Sequence, residues 1–372
     1  MSAAPRGGVP AASTARRLAR AALAGNTAAI SLPALGFAGL TELCRRSAAP
    51  HAPDPLFGRD PRGLPIAYSE ARALRPIGRR DGCAVCDGET CPAADVAELP
   101  GGDVAWLTPN LYPILYPFAA TPHGAAPPLH GVHLVQWSSL RHDGGLTGAD
   151  AAGAAAIVAQ WSAAEEFLLH HADAGFPVSG AGADGLPHRG HCGLVKNRGH
   201  RVGGSVEHDH QQALLSNVPF AEPPLSIGLA DSLLRDATLE RTVDSVDGLA
   251  LTVVPSFMRR PLHAFIVPLA PGVSPGSPPR AQRAGWLHHL PVPARDAFAL
   301  ALARLAHAVS SEMERRAGEP AWNMILHTGP GCAPLLELRP FTQPLGGFEQ
   351  LGLWLCEERP ETSAGRLRDA LA

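Results

Sequence analysis

The stretch KNRGHRVGGSVEHDHQQ, Lys196 to Gln212, ends in His208, His210 and Gln212 at strict alternation. In an extended strand alternate side chains point to one face, so two imidazoles and an amide are expected to project together from a rigid support. A neutral imidazole near pH 7 serves either as a metal ligand or as a nucleophile and proton carrier, so neighbouring histidines can divide these tasks. Upstream, Gly199, Gly203 and Gly204 with Ser205 offer close backbone approach and N–H or hydroxyl donors to a phosphate. The alternative is a polar strand face without chemistry, in a chain that holds 17 histidines. Lys196 is the only lysine; every other basic side chain of this type is an arginine.

Working outward, 372 residues suffice for two ordinary domains or one large domain with an extension. A net charge of −3 with dispersed signs argues against a nucleic-acid surface. No apolar run approaches the roughly 20 residues of a membrane span, so a soluble protein without membrane partners is expected. Arg16, Arg17 and Arg20 precede an Ala/Leu-rich segment that imitates a signal peptide, but Asn26, Thr27, Ser31 and Pro33 interrupt it. Cytoplasmic localisation follows as the expectation. Seven cysteines, an odd number, argue against a disulfide scaffold and leave Cys83 and Cys86 to be explained by metal.

Residues 1–55, rich in Ala, Pro and Arg, read as a partly disordered extension with a short helix near Ala15 to Ala24. From Leu56 the texture becomes short apolar runs punctuated by Gly and Pro. Val104–Leu107, Gly131–Trp137 and Gly193–Lys196 are expected strands, and Ala149–Ala172 an amphipathic helix. A second unit repeats the pattern, with strands at Leu249–Pro255, Ala264–Leu269, Trp322–His327 and Leu335–Arg339 and a helix at Ala294–Ala317. An exposed loop is expected at Pro271–Pro279. The plan is α+β in two tandem halves, residues 56–218 and 219–372, the first rich in candidate chemistry and the second poor in it.

Cys83-Ala-Val-Cys86 can supply half of a tetrahedral zinc site. His142, in the loop after the strand ending at Trp137, and His208 complete a Cys2His2 set, whose four filled positions make it structural. Cys91 and His133 are alternative ligands, and unliganded thiols remain an alternative reading. Arg72 and Arg75 lie three residues apart before Pro76, and two guanidinium forks suit a diphosphate, although surface arginines are common. Asn110, in the turn Thr108-Pro-Asn-Leu-Tyr-Pro113, could read a base or sugar edge or simply form an Asx turn.

Taken in order, these segments resemble the galactose-1-phosphate uridylyltransferase branch of the histidine-triad (HIT) superfamily. The resemblance rests on Asn197-Arg-Gly199, Gly203-Gly204-Ser205 and His208-Asp-His210-Gln-Gln212, preceded by the arginine segment, the Cys-x-x-Cys, the Pro-Asn-x-Tyr-Pro turn and a serine-histidine loop. Gly347-Phe348-Glu349 and Pro360-Glu361 with Leu367-Arg368 extend it to the C-terminus. It implies two tandem HIT-like domains, each an antiparallel sheet with a long helix. It also implies ping-pong transfer of a nucleoside monophosphate between sugar 1-phosphates, as in galactose metabolism. His210 would be the nucleophile, Gln212 would hydrogen-bond the phosphoryl oxygens, and Ser205, Arg72 and Arg75 would hold the developing charge. Asn110 and Asn197 would position the nucleotide, and His208 would bind zinc. The partners implied are a nucleoside-diphosphate sugar and a sugar 1-phosphate, with a homodimer as one assembly open to the chain. Alternatives are a phosphorylase of nucleoside-diphosphate sugars or dinucleoside polyphosphates, or a non-catalytic zinc-stabilised nucleotide-binding protein. Asp209 and Gln211 depart from the usual motif but should face away from the catalytic side. The second half has Ala333-Pro-Leu335-Leu-Glu337 where many relatives carry a His-x-His strand, so a second metal there is not expected.

Overall fold

The computed structural model describes residues 30–48, 56–59, 65–68, 72, 83–87, 90–117, 129–182, 184–220, 227–271 and 279–372. The expected helix near Ala15 and most of the Pro271–Pro279 loop lie outside these residues. In chain order the elements begin with helix α1 (Leu32–Ser47), strands β1 (Leu56–Arg59) and β2 (Pro65–Tyr68), β3 (Asp95–Leu99), β4 (Asp103–Pro109) and β5 (Gly131–Trp137). Helix α2 (Ala151–His171) leads to the β6 (Val178–Ala181) and β7 (Pro187–Arg189) hairpin, then β8 (His191–Arg198) and β9 (His210–Ser216). The second half contains α3 (Ile227–Asp236), β10 (Thr242–Val246), β11 (Ala250–Val253), β12 (Ala264–Pro268), α4 (Val292–Ala317), β13 (Trp322–His327) and β14 (Leu335–Pro340). Two short helices close the chain, α5 (Gly347–Gln350) and α6 (Pro360–Asp369).

Ten strands form one antiparallel sheet in the order β10-β11-β12-β14-β13-β8-β9-β5-β4-β3. The two halves therefore do not keep separate sheets. Each contributes a five-stranded sheet and a long helix, and the sheets join edge to edge where β8 pairs β13 from Trp322↔Arg198 to Leu326↔Leu194. Joining the edges satisfies two rows of backbone groups that would otherwise invite non-specific pairing.

The long helices cover one face of this sheet and pack on each other. Asp150 caps α2 by accepting from the Gly153 N–H, and Gly318, at φ 74°, ends α4 in the left-handed conformation that glycine adopts without steric cost. Ile157, Trp161 and Leu168 of α2 and Phe298, Leu302 and Leu305 of α4 are buried against Leu134, Leu194, Leu215, Met324 and Leu338 of the sheet. Each such side chain contributes about 1.5–3 kcal/mol by leaving water. The opposite face of the central strands carries polar side chains, and there the candidate site lies.

The segment of residues 1–55, read as a partly disordered extension, contains a folded helix, α1, seated on the core. The Ser31 hydroxyl accepts from the Ala34 N–H, Pro33 stands in the first turn, and Leu32, Leu40 and Cys44 are buried. The Leu32 N–H also donates to Asp95 of β3 at 3.2 Å. Ser31 and Pro33, read from sequence as interruptions, are the helix's start signal.

Candidate functional site

Two clusters flank the start of β9. The first joins Cys83, Cys86, His142 and His208, with one donor atom from each within 4.8 Å of the others. Cys83 Sγ and Cys86 Sγ lie 3.7 and 3.6 Å from His208 Nδ1, and Cys86 Sγ lies 3.7 Å from His142 Nδ1. A tetrahedral zinc, about 2.3 Å from sulfur and about 2.0 Å from nitrogen, sets sulfur–nitrogen edges of about 3.6 Å. The donor set therefore fits a metal ion in both chemistry and spacing. His208 Nε2 donates to the Ser139 carbonyl at 2.7 Å, which leaves the Nδ1 lone pair for the cluster. The alternative ligands go elsewhere: Cys91 approaches the Ser47 carbonyl, and His133 faces Gln212.

The strand begins at His210 rather than His208. His208 precedes it in a bend and turns its ring to the thiols, whereas His210 and Gln212 stand on the polar sheet face. His210 Nδ1 lies 2.8 Å from the His208 carbonyl. A carbonyl only accepts, so the proton sits on Nδ1 and Nε2 presents its lone pair. Burial pushes the His210 pKa down to about 4, with the positive charge of Lys196 adding to the effect and the His208 hydrogen bond opposing it. The ring is thus neutral at pH 7, and it rests beside Trp137 with centroids 5.2 Å apart.

Gln212 is oriented by a partner that sequence reasoning named only as an alternative metal ligand. The Ile114 N–H donates to His133 Nδ1 at 3.1 Å, so His133 carries its proton on Nε2 and donates it to Gln212 Oε1 at 2.8 Å. With its oxygen engaged, Gln212 turns its amide N–H groups toward the site. The alternation of His133 with Val135 and Trp137 along β5 shows which side chains share a face, but the pairing of β5 with β9 that brings His133 to Gln212 is set by strand order.

The opposite face of β9 is braced. Lys196 and Asp209 are buried and joined at 2.5 Å, and Lys196 also donates to the His210 carbonyl at 3.1 Å and to Gln211 Oε1 at 3.2 Å. Asp209 accepts from the Leu146 N–H at 2.9 Å, and Gln211 donates to Gln136 and Ser138. Burial drags the Lys196 pKa down while Asp209 pulls it back; burial raises that of Asp209, and Lys196 with the Leu146 N–H and Arg198 together more than reverse it, so the pair is ionic. Asp209 and Gln211 do face away from His210, as expected, and the single lysine acts as a clamp under the motif. Gly145, at φ 117°, leaves room for Asp209, whose carboxylate a Cβ there would strike.

The remaining candidates are distributed around this face. Asn197 sits at the end of β8, its Oδ1 accepting from Asn323 of β13 at 2.7 Å. Asn110 forms the Asx turn, its Oδ1 accepting from the Tyr112 N–H at 2.8 Å, and its Nδ2 lies 3.1 Å from His133 Nε2. Arg72 donates to the Tyr112 carbonyl at 2.9 Å and so borders the same turn. Ser205 is half-buried in the loop leading to β9, and Arg75 lies outside the described residues. A cavity of about 320 Å³ is bounded by Arg198, Gly199, Gly204, Glu207 and His142; Asp209 forms part of its wall and His210 does not.

The second half repeats the scaffold with different chemistry. Val135↔Gln212 and Val195↔Gln212 in the first half match Phe265↔Glu337 and Ile325↔Glu337 in the second. His133 donating to Gln212 is matched by His263 beside Glu337 at 2.9 Å. In that register Leu335 stands where His210 does, and Ala333 where His208 does. The second half is less bare than its sequence suggests: Glu337 is buried between His263, His327 at 2.8 Å and Arg339 at 2.6 and 2.8 Å. Burial raises its pKa, but hydrogen bonds from these three partners hold its carboxyl well below the usual carboxylate range.

No protein-family profile matches the chain, and no curated protein matches it. Solved structures do. A uridylyltransferase structure aligns at 18% identity and TM-score 0.61, covering 85% of this chain and 98% of the other. An ADP-glucose phosphorylase from Arabidopsis thaliana, with ADP-glucose bound, aligns at 19% identity and TM-score 0.57 with the same coverage. A GalT-like protein from the same plant gives 19% and 0.58 over 79% of this chain and 93% of its own. The chain has the α+β fold of these uridylyltransferase and GalT-like structures.

Proposed function

We propose that the protein is a nucleotidyltransferase that moves a nucleoside monophosphate from a nucleoside-diphosphate sugar to a sugar 1-phosphate through His210. The observation that carries this reading is the tautomer of His210: a neutral ring with Nδ1–H held by the His208 carbonyl, which leaves the Nε2 lone pair available two residues before Gln212 on the same strand face. His210 Nε2 would attack the α-phosphorus; the Nε2–P bond forms, the bond to the bridging oxygen breaks, and the sugar 1-phosphate departs with that electron pair. Gln212 N–H groups would donate to the α-phosphoryl oxygens as charge shifts. An oxygen of the second sugar 1-phosphate would then displace Nε2 and restore the ring. Arg72, Arg75 and Ser205 would hold the diphosphate, and Asn110 and Asn197 the nucleoside.

Zinc held by Cys83, Cys86, His142 and His208 would fix the His208 carbonyl that orients His210, a structural role without an open coordination position. None of the seven cysteines forms a disulfide, which supports a reducing, cytoplasmic setting where the thiols stay available as ligands. Leu345, Phe348, Leu351, Leu353, Trp354 and Leu355 are exposed along one segment and support a homodimer through that surface.

The test is mass spectrometry of protein quenched after incubation with a panel of labelled nucleoside-diphosphate sugars. A nucleotide on His210 that is stable in alkali and labile in acid is expected. Chasing the adduct with a hexose 1-phosphate or with inorganic phosphate separates a transferase from a phosphorylase, the second reading favoured by the equal coverage of the ADP-glucose phosphorylase structure. Turnover with no adduct would defeat both.

A further inference from the structure

Away from β9, three histidines converge where the two halves meet. His170 lies in the last turn of α2, His188 in β7, and His288 in the turn Leu287–His289 that precedes α4. One ring nitrogen of each lies within 4.8 Å of the others. His170 Nε2 and His188 Nε2 are 2.7 Å apart, and the His288 ring lies 5.1 Å from that of His188 and 6.0 Å from that of His170. We propose that His170, His188 and His288 bind a divalent transition-metal ion of the zinc type, clamping the β6–β7 hairpin and α2 of the first half to the second half.

At one of the three rings the hydrogen bonding is that of a metal-ligating imidazole; His188 Nδ1 is buried without a described partner. Glu165, fully buried one turn before His170, accepts from the His288 backbone N–H at 3.1 Å and lies 2.7 Å from His288 Nδ1. A carboxylate holding Nδ1–H fixes the tautomer and leaves the Nε2 lone pair available, the usual outer-shell arrangement behind a metal-bound histidine. His288 Nε2 is buried, and no protein group described satisfies it. On the other side, the half-exposed Asp184 carboxylate lies 3.9 Å from His170 Nδ1, beyond hydrogen-bond distance, and adds only negative charge near the cluster. Trp286 packs edge-on against His188 at 4.4 Å and walls off the site.

A purely structural histidine cluster explains less. One shared proton satisfies His170 and His188 but does nothing for the buried His288 Nε2, and further protonation places positive charges side by side in the interior. A single cation accepts all three lone pairs. Three imidazoles without a thiolate suit zinc and its neighbours and leave a fourth position for water. Metal–nitrogen bonds of 2.0–2.1 Å at a tetrahedral angle hold nitrogens about 3.3 Å apart, so His170 and His188 must separate by about 0.6 Å on binding. His170, at a helix end, can yield that distance.

Cobalt(II) distinguishes this site from the thiolate cluster. The full chain, stripped with chelator and refilled, should take up two equivalents: one with the near-ultraviolet thiolate charge-transfer band, the other with ligand-field bands alone. His288→Gln and His170→Ala should each lose the second equivalent and keep the thiolate band; Cys83→Ser should show the reverse. If a variant folds poorly, anomalous scattering from zinc-soaked crystals of the unaltered protein gives the answer directly, with a peak expected among the three rings. Saturation at one thiolate-bound equivalent, no peak at the rings, or a second equivalent retained by both histidine variants would overturn the proposal.

Discussion

Strands β9 and β14 occupy matching places in the two halves, yet one presents chemistry and the other consumes it. In β9, Gln212 is held by a single neutral histidine and turns donors outward, with His210 two residues before it. In β14, Glu337 takes the place of Gln212 but spends both carboxylate oxygens on His263, His327 and Arg339, with Leu335 two residues before it. A duplicated scaffold reproduces positions and backbone pairing; what each position does depends on whether its polar groups are already satisfied. The sharpest way to break this contrast is His210→Ala. Turnover should fall by on the order of 10³-fold or more and the covalent adduct should vanish, while nucleotide binding, read by calorimetry, stays within a few fold. Substantial turnover in the variant would mean that β9 is as inert as β14.

A smaller loss is expected on breaking the Cys2His2 cluster, which has no counterpart among the described residues of the second half. Cys83→Ser should lose the thiolate-bound equivalent, and because His208 orients His210 through its carbonyl, activity should drop about 10–100-fold, the usual cost of disturbing an orienting group. Full activity without the metal would disconnect the cluster from the strand.

The contrast was only half legible in the sequence. Gly131–Trp137 and Trp322–His327 were readable to the residue because each is an uninterrupted extended run closed by turn residues. The thiol pair was readable because its spacing is local, and the structure brings it together with His142 and His208, whose joining to it depends on the fold. The couplings across the sheet were not readable: His133 meets Gln212 across 79 positions, His263 meets Glu337 across 74, and Asn323 meets Asn197 across 126. Such contacts depend on strand order and register, which no local pattern states. Lys196 was visible as the only lysine, but its buried partner Asp209 was seen only as a departure from a motif. Ser31 and Pro33 were misread because a cap and a helix-opening proline look like breaks when the stripe of Leu32, Leu40 and Cys44 that follows is sparse.

Glu337→Gln tests whether β14 is structural. The change leaves His263, His327 and Arg339 without their carboxylate and should cost about 2–3 kcal/mol, discounted from a fully buried pair because Arg339 is about half exposed. The sign with pH is set by the lowered pKa of Glu337: its contribution is present above its ordinary value of 4.5 and fades as pH falls toward the lower folded-state pKa. The stability gap between the variant and the unaltered protein should therefore narrow in acid, as measured by urea unfolding at stepped pH. Adduct formation on His210 should be unchanged. A gap that widens in acid would show that the carboxyl is protonated in the fold.

The smallest effect tests whether the second half touches the chemistry at all. Asn323 Nδ2 donates to Asn197 Oδ1 at 2.7 Å and lies 3.2 Å from the Val202 carbonyl, so one amide from β13 holds both the end of β8 and the glycine-rich turn that follows it. Asn323→Ala removes about 0.5–1.5 kcal/mol of hydrogen bonding at a half-buried position. Because this contact orients the Asn197 side chain while the β8–β13 backbone pairing remains, the loss should appear as a severalfold rise in KM for the nucleotide sugar that labels His210, with kcat nearly unchanged. Asn323→Asp is harsher, since it sets a carboxylate against the Asn197 oxygen unless that amide turns over, and turning it reverses what Asn197 offers to a ligand. If the alanine variant moves stability but not KM, the second half supports the first as scaffold alone, and the division between β9 and β14 is complete. A KM effect without a stability effect would instead make Asn323 part of the nucleotide's surroundings, contributed by the half that lacks a nucleophile.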